Sequence, residues 1–363
     1  MKTLATLLLA TATGACVSTI GATERERDRG GDCTTDNEER LDTVVVRTQA
    51  DVDDLPDCFS VDGDLIVEGS PLVDLKAFEQ LGYVGGDLIL RDNSRLTSLD
   101  GLVDIDVGGD LTVEGNARLT DLTGLEATTS LGALTIRDNA ALETLGGLAD
   151  LATVTGAVVI EGNPRLDSLA GLGALRRAGA VSIVDNDALV GLSALSNLGT
   201  ADALTVRGNA RLSSVSGMSE LLSVTALTIH DNPALLSLNG LAITDVTGDV
   251  DLSANGLTTL ASRLSLTRVG GDLVIDGHGA LTAVDGLAPA LRVTGAITLS
   301  NNAGLRSVYP LYVGTTAAQL VVMSNPSLSR DRAEHLRNHT AQFPTVTVQA
   351  NGPYGADPET HGN

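Results

Sequence analysis

Apolar residues in this chain come in three short blocks that recur together, and one copy shows the whole pattern: Leu88 and Leu90, then Leu96, Leu99 and Leu102, then Ile105 and Val107. The first block alternates with period two, as a strand does when one face is buried. The following leucines recur every third residue, which predicts a tight 3₁₀-like return and not a long helix. Each copy therefore reads as one strand, one corner and one return path.

An asparagine closes each strand: Asn93, Asn116, Asn139, Asn163, Asn186, Asn209, Asn232, Asn255, Asn302 and Asn325, with Ser70 and His278 in the same slot of two further copies. Neighbouring slots are 23 residues apart, except that 139 to 163 and 278 to 302 are 24. A period this strict is the signature of a stacked repeat. No copy can bury its own leucines, so neighbours must do it, with strands about 4.8 Å apart in one parallel sheet. The predicted fold is mainly β, a single-sheet solenoid of about 12 coils of 23 residues spanning residues 63–326. Both one-residue insertions fall in the return path, between Leu148 and Val158 and between Leu287 and Ile297, which marks that side as the tolerant one. The asparagines read as a structural ladder whose amides bond the turn and the adjacent coil.

The ends break the pattern, as solenoid caps do. Residues 33–62 form an N-terminal cap, with a first strand over 43–48 and a capping segment over 50–58. Residues 327–351 form a C-terminal cap, with a short helix over 329–339 and a last strand over 345–349. Residues 352–363 read as a loose polar tail.

Two rows on the exposed strand face carry charge. One runs Glu68, Arg91, Glu114, Arg137, Glu161, Val184, Arg207, His230, Ser253, Asp276, Ser300, Met323, and its sign alternates over the first five copies. Beside it run Gly69, Asp92, Gly115, Asp138, Gly162, Asp185, Gly208 and Asp231, so the true period in this half is two repeats. Such a row fixes register through exposed ion pairs, each worth at most about 1 kcal/mol. Solenoid sheets are also long recognition faces. Arg91, Glu114, Arg137, Glu161, Val184, Arg207, His230 and Met323 are thus the candidate binding face, and the places where alternation fails, at Val184, His230 and Met323, are its better contact points.

Composition narrows the function. Acids outnumber bases 46 to 23 for a net charge of −23, a surface that repels nucleic-acid phosphates and anionic lipid heads. Aromatics are 2% and Trp is absent, consistent with a thin core filled by aliphatics. No Gly-x-Ser-x-Gly, His-Glu-x-x-His, phosphate-binding glycine loop or Cys-x-x-Cys is present. His335 and His339 are four apart on the predicted helix, but no third metal ligand accompanies them, and they read as a solvated helix face. No catalysis, cofactor or metal is expected.

Residues 1–15 have the order of an export signal: Lys2, an apolar run over 4–12, then Gly14 and Ala15 before Cys16. Residues 13–16 resemble the lipobox of bacterial lipoproteins, with Thr13 where that family has Leu. The resemblance implies a lipidated Cys16, and ordinary signal cleavage before Cys16 would export the chain as well. Residues 16–32 are polar and read as a flexible tether. With Cys16 at the signal junction, Cys33 and Cys58 are left as a disulfide pair, two free thiols or half a metal site being the alternatives.

The phrase Leu-x-Leu-x-x-Asn-x-x-Leu at 88–96 and 204–212 resembles a leucine-rich repeat with one extra residue after the asparagine. Cys33 and Cys58 followed by Gly63-Asp64-Leu65-x-Val67 and the Leu/Asn coils resemble the receptor L domain and its bacterial surface-protein relatives. The resemblance covers nearly all of residues 33–351 and implies a right-handed solenoid that binds and does not catalyse. The expected protein is a monomeric outer-membrane lipoprotein or secreted protein that recognises a protein or surface glycan. It touches the membrane only through its N-terminal lipid and binds no nucleic acid. The alternative is a structural envelope spacer without a specific ligand.

Overall fold

A computed structural model describes residues 38–102, 105–260, 266–288, 290–339 and 341–353. The signal and tether expected over 1–32 lie outside the described residues. So does Cys33, and with it the Cys33–Cys58 pairing.

The chain is a parallel β-solenoid. Fourteen strands, from Val44–Val46 to Thr345–Gln349, form one sheet in chain order. Adjacent strands pair in step, Leu88 with Leu111 and Leu134 with Val158, so equivalent residues of successive coils stack in rows. Leu88 and Leu90 are fully buried while Ile89 and Arg91 are half-buried on the outer face. That is the period-two alternation of a strand resting on a core. Fourteen strands make thirteen turns of coil, slightly more than the repeat count, because Val44–Val46 and Thr345–Gln349 belong to cap coils whose lengths depart from 23.

The leucines at every third position do form three-residue turns. Leu102 N–H donates to Leu99 O (3.0 Å) and Leu148 N–H to Leu145 O (2.9 Å), with regular 3₁₀ helices at Lys76–Phe78, Gly146–Leu148, Ser193–Leu195 and Tyr309–Tyr312. At about 3 residues per turn their buried side chains line up on one edge of the coil. The return path adds something the pattern did not resolve: short parallel strands that pair with each other. Glu39–Leu41, Phe59–Val61, Leu81–Val84 and Asp106–Val107 make one small sheet, Ser130–Leu131 and Thr153–Val154 another, and four strands from Ser223–Val224 to Arg292–Val293 a third. Most are two residues long, too short to display a period.

All buried apolar side chains join one continuous core along the solenoid. Its rings are confined to the ends. Phe59 and Phe78 pack 6.5 Å apart in the first coils and Phe343 is fully buried in the last, whereas the middle is aliphatic. A middle coil has neighbours on both sides and little room. An end coil lacks one neighbour, and a ring fills the gap. At the front, helix Gln49–Asp53 buries Val52 and is closed by a capping box between Thr48 and Asp51. Burial disfavours the charge on Asp51, yet N–H groups of Arg47 and Thr48, both 2.8 Å away, outweigh it and hold the carboxyl below its ordinary range. At the back, Ser329 caps helix Arg330–His335, which runs on into the 3₁₀ turn Leu336–Asn338. Among the described residues no helix is long and apolar enough to cross a membrane.

Candidate functional site

The asparagines line the corner where each strand ends, and they are fully or nearly fully buried. Each clamps the coil before it. Asn93 accepts on Oδ1 from the N–H of Ser70 (2.9 Å) and donates through Nδ2 to Val67 O (2.8 Å). Asn116 repeats both bonds on the next coil, from Asn93 N–H (3.1 Å) and to Leu90 O (2.8 Å). The series runs through Asn139, Asn163, Asn186, Asn209, Asn232, Asn255, Asn302 and Asn325. It closes on Asn351, which accepts from Asn325 N–H (3.2 Å) and donates to Val322 O (2.9 Å). Asn351 was missed as a rung because the last step is 26 residues. These side chains are spent on the fold.

His278 takes an asparagine slot with a ring. Its Nε2 faces Leu252 O, the carbonyl an asparagine amide would meet, and its Nδ1 lies 2.9 Å from Asn255 O. Both ring nitrogens thus face acceptors, and a neutral imidazole has one N–H to give. Burial pushes the His278 pKa down, against the pull of the two carbonyls and of Asp276 and Asp251.

A second ladder opens the strands at the opposite corner. Asp64 Oδ1 accepts from Asp87 N–H (2.9 Å), Asp87 from Asp110 N–H (2.8 Å), and Asp110 from Ala133 N–H (2.7 Å). Asp249 and Asp272 resume it at 2.8 and 2.7 Å. Between them stand Ala157, Ala180, Ala203 and Ala226. The recurring Gly-Gly-Asp phrase was the available signal.

The Gly/Asp row has a backbone cause. Every residue just before the asparagine slot, from Gly69 (φ 56°) through Asp92 (55°), Gly115 (67°) and Asp138 (56°) to Ala350 (52°), is left-handed. Glycine, and after it Asp and Asn, tolerate that conformation. The carboxylates of Asp92, Asp138 and Asp185 lie where a side chain on Gly115, Gly162 and Gly208 would have to sit. From Asp92 to Gly208 an acid in one coil thus meets a glycine in the next, which accounts for the two-repeat period, and the alternation ends where Ala254 follows Asp231.

The alternating charge row resolves into separate pairs. Arg47 Nε lies 2.8 Å from Glu68, Arg91 Nε 3.1 Å from Glu114, and Arg137 Nη2 2.7 Å from Glu161. Beyond Glu161 the pairing stops. Val184 offers no charge, Arg207 is exposed and makes no ion pair among the described residues, and the His230 ring nitrogens sit 3.3 Å from Asp231 and 3.7 Å from Asp251. Val184, Arg207 and His230 are direct neighbours in register, with Ser182, Thr205 and Thr228 beside them on the same face. Met323 is four strands farther on, roughly 19 Å at the usual strand spacing, so it does not join this patch.

The histidines of the C-terminal cap lie at the surface, His335 exposed and His339 half-buried, and they are joined there by a third ring. The ring of Tyr312 stacks on His339 and meets His335 edge-on, both at 5.4 Å, and His335 lies 5.4 Å from His339. Helical spacing placed the two imidazoles together, but the tyrosine comes from the preceding coil, beyond the reach of a local pattern. Among the described residues no group of three His, Cys, Asp or Glu side chains gathers where it could hold a metal.

No protein-family model matches this chain, and no curated protein is similar to it.

Proposed function

We propose that this chain is an exported recognition protein of the leucine-rich-repeat or receptor L-domain kind, holding a protein or glycan partner on its sheet face and doing no chemistry. The observation that carries this reading is the break in the ion-pair row: Arg91, Glu114, Arg137 and Glu161 neutralise one another, while Val184, Arg207 and His230 form a contiguous patch whose arginine is exposed and, among the described residues, without an ion pair. Charges already paired with a neighbour have little to offer a ligand. An unpaired arginine beside an apolar residue and a hydroxyl row does. The remainder of the reading is a Cys33–Cys58 staple at the N-terminal cap and a lipid on Cys16 that tethers the solenoid to the cell envelope.

The test is a screen of the full chain against a glycan array and fractionated envelope proteins, repeated with Val184→Asp and Arg207→Glu. Saturable binding abolished by both substitutions, with melting unchanged, supports recognition. Binding to nothing, or binding indifferent to both, favours a spacer. The mature N-terminal mass decides the anchor: a diacyl or triacyl mass on Cys16 supports the lipoprotein reading, and an unmodified N-terminus rejects it.

A further inference from the structure

The last coil of the solenoid, with the C-terminal cap packed on it, carries a second surface, of opposite character to the rest of the molecule and off the sheet face. In the coil that ends at the 3₁₀ turn Tyr309–Tyr312, Leu305, Val308 and Leu311 are buried at every third position, which places Arg306 and Tyr309 on the outward ridge, with Tyr312 half-buried against the core beside them. In the coil before, Thr282 and Asp285 hold the places of Arg306 and Tyr309. Tyr309 is 58% exposed, the most exposed large apolar side chain among the described residues, and Val313 beside it is 43% exposed. The ridge is also held in place. Tyr312 O–H donates to Arg332 O (2.9 Å), Arg332 Nη1 donates to Arg306 O (2.8 Å), and the Tyr309 ring stands edge-on to Tyr312 at 6.5 Å.

Charge points the same way. Between residues 301 and 344 the chain carries Arg306, Arg330, Arg332 and Arg337 against only Asp331 and Glu334, so this stretch is net positive on a protein of net charge −23. Glu334 is shared by Arg330 (3.4 Å) and Arg337 (3.6 Å), while Arg306 is exposed and makes no ion pair among the described residues. Repulsion from the distant acidic body is screened beyond about 8 Å at physiological ionic strength, which leaves the exposed Asp285, one coil before Tyr309, as the acid nearest a ligand there.

We propose that this end of the solenoid binds an anionic glycan, one sugar face stacking on Tyr309 while a carboxylate or sulfate meets Arg306. The electron-rich face of a tyrosine ring attracts the positively polarised C–H bonds of a pyranose, and a ring standing out of the surface suits a sugar's flat face better than a peptide side chain, which needs a pocket to fill. The arginine supplies the charge-assisted hydrogen bonds that select an acidic sugar.

The experiment titrates the full chain with polygalacturonate, a sulfated glycosaminoglycan, a neutral β-glucan and poly-glutamate. It follows tyrosine fluorescence, since two of the chain's four tyrosines lie in this patch. Saturable binding to the uronate or the sulfated polymer is expected, and which of the two binds identifies the anion. Binding should weaken by about tenfold in Tyr309→Ala and in Arg306→Glu and stay within about threefold in Tyr309→Phe. Arg207→Glu, on the sheet face, should leave it unchanged, so this site and the sheet-face reading fail separately. Tyr309 is exposed enough that its variants are expected to melt with the parent. The proposal is overturned by no binding to either anionic glycan, by binding that survives Tyr309→Ala, or by equal binding of the neutral glucan or poly-glutamate.

Discussion

The carboxylate of Asp185 occupies the space that a side chain on Gly208, one coil later, would need. Gly208 also has φ 68°, so two separate demands fall on one glycine. Gly277 meets only the second of them. Its φ is 73°, but the residue before it in the row is Ala254, and an added Cβ would find nothing closer than 3.6 Å. Gly277→Ala should therefore cost about 1 kcal/mol, the left-handed strain alone. Gly208→Ala should cost about 2–3 kcal/mol, and placing it in an Asp185→Ala background should bring the cost back to about 1. Equal losses at the two glycines in urea unfolding would remove the steric account of the two-repeat period.

Asn139 satisfies two buried backbone groups of the previous coil, accepting from Asn116 N–H (3.0 Å) and donating to Val113 O (2.9 Å). Asn139→Ala orphans both in a dry interior, at about 1–3 kcal/mol each. Asn351 makes the same two bonds at the half-buried end of the ladder, where water reaches more easily. Asn351→Ala is therefore expected to cost less than half as much. Thermal melts of the two variants check the order, and equal losses would mean that burial does not set the ladder's worth.

Legibility followed contact range. The coil was readable because 23-residue spacing repeats one local pattern, and Leu99 or Asn139 sits in the same environment as its counterparts in the neighbouring coils. Partners across coils were readable only where chemistry alternates, as in Arg137 and Glu161. The Asp87 carboxylate bonds a backbone N–H, which has no letter in the sequence, so the Gly-Gly-Asp phrase showed that an acid recurs there without showing what it bonds. Tyr312 meets His335 and His339 from a different coil, and nothing in the spacing joins them. The short return strands such as Asp106–Val107 are defined by their neighbours more than by their own residues.

The arginine–glutamate pairs are expected to matter little for stability. The side chains of Arg137 and Glu161 are 40% and 37% exposed, so solvent and salt screen their attraction. Arg137→Ala should cost at most about 1 kcal/mol in urea at low salt, and the cost should shrink toward zero at about 1 M salt. A salt-independent loss above about 2 kcal/mol would show that the row is a structural element and not a set of exposed pairs.

His278 gives the fold a pH dependence with a definite sign. Its pKa in the folded chain is lowered from 6.5 by burial, so the native state favours the neutral ring. Above pH 6.5 the ring is neutral whether the chain is folded or not, and the full stability is present. As pH falls below 6.5 the unfolded chain takes up a proton that the native ring refuses, and stability drains until pH passes the lowered native value. An asparagine at this position removes the titration and supplies an amide that can donate to Leu252 O while its oxygen accepts from the previous coil, as Asn255 does for Ile229 O and Asn232 N–H. His278→Asn should raise stability by about 1 kcal/mol at pH 7.5, and its advantage over the parent should widen as pH is lowered from 7 to 5. Measuring both proteins at each pH cancels the other four histidines. A constant difference across that range would show that the His278 ring titrates alike in the folded and unfolded chains.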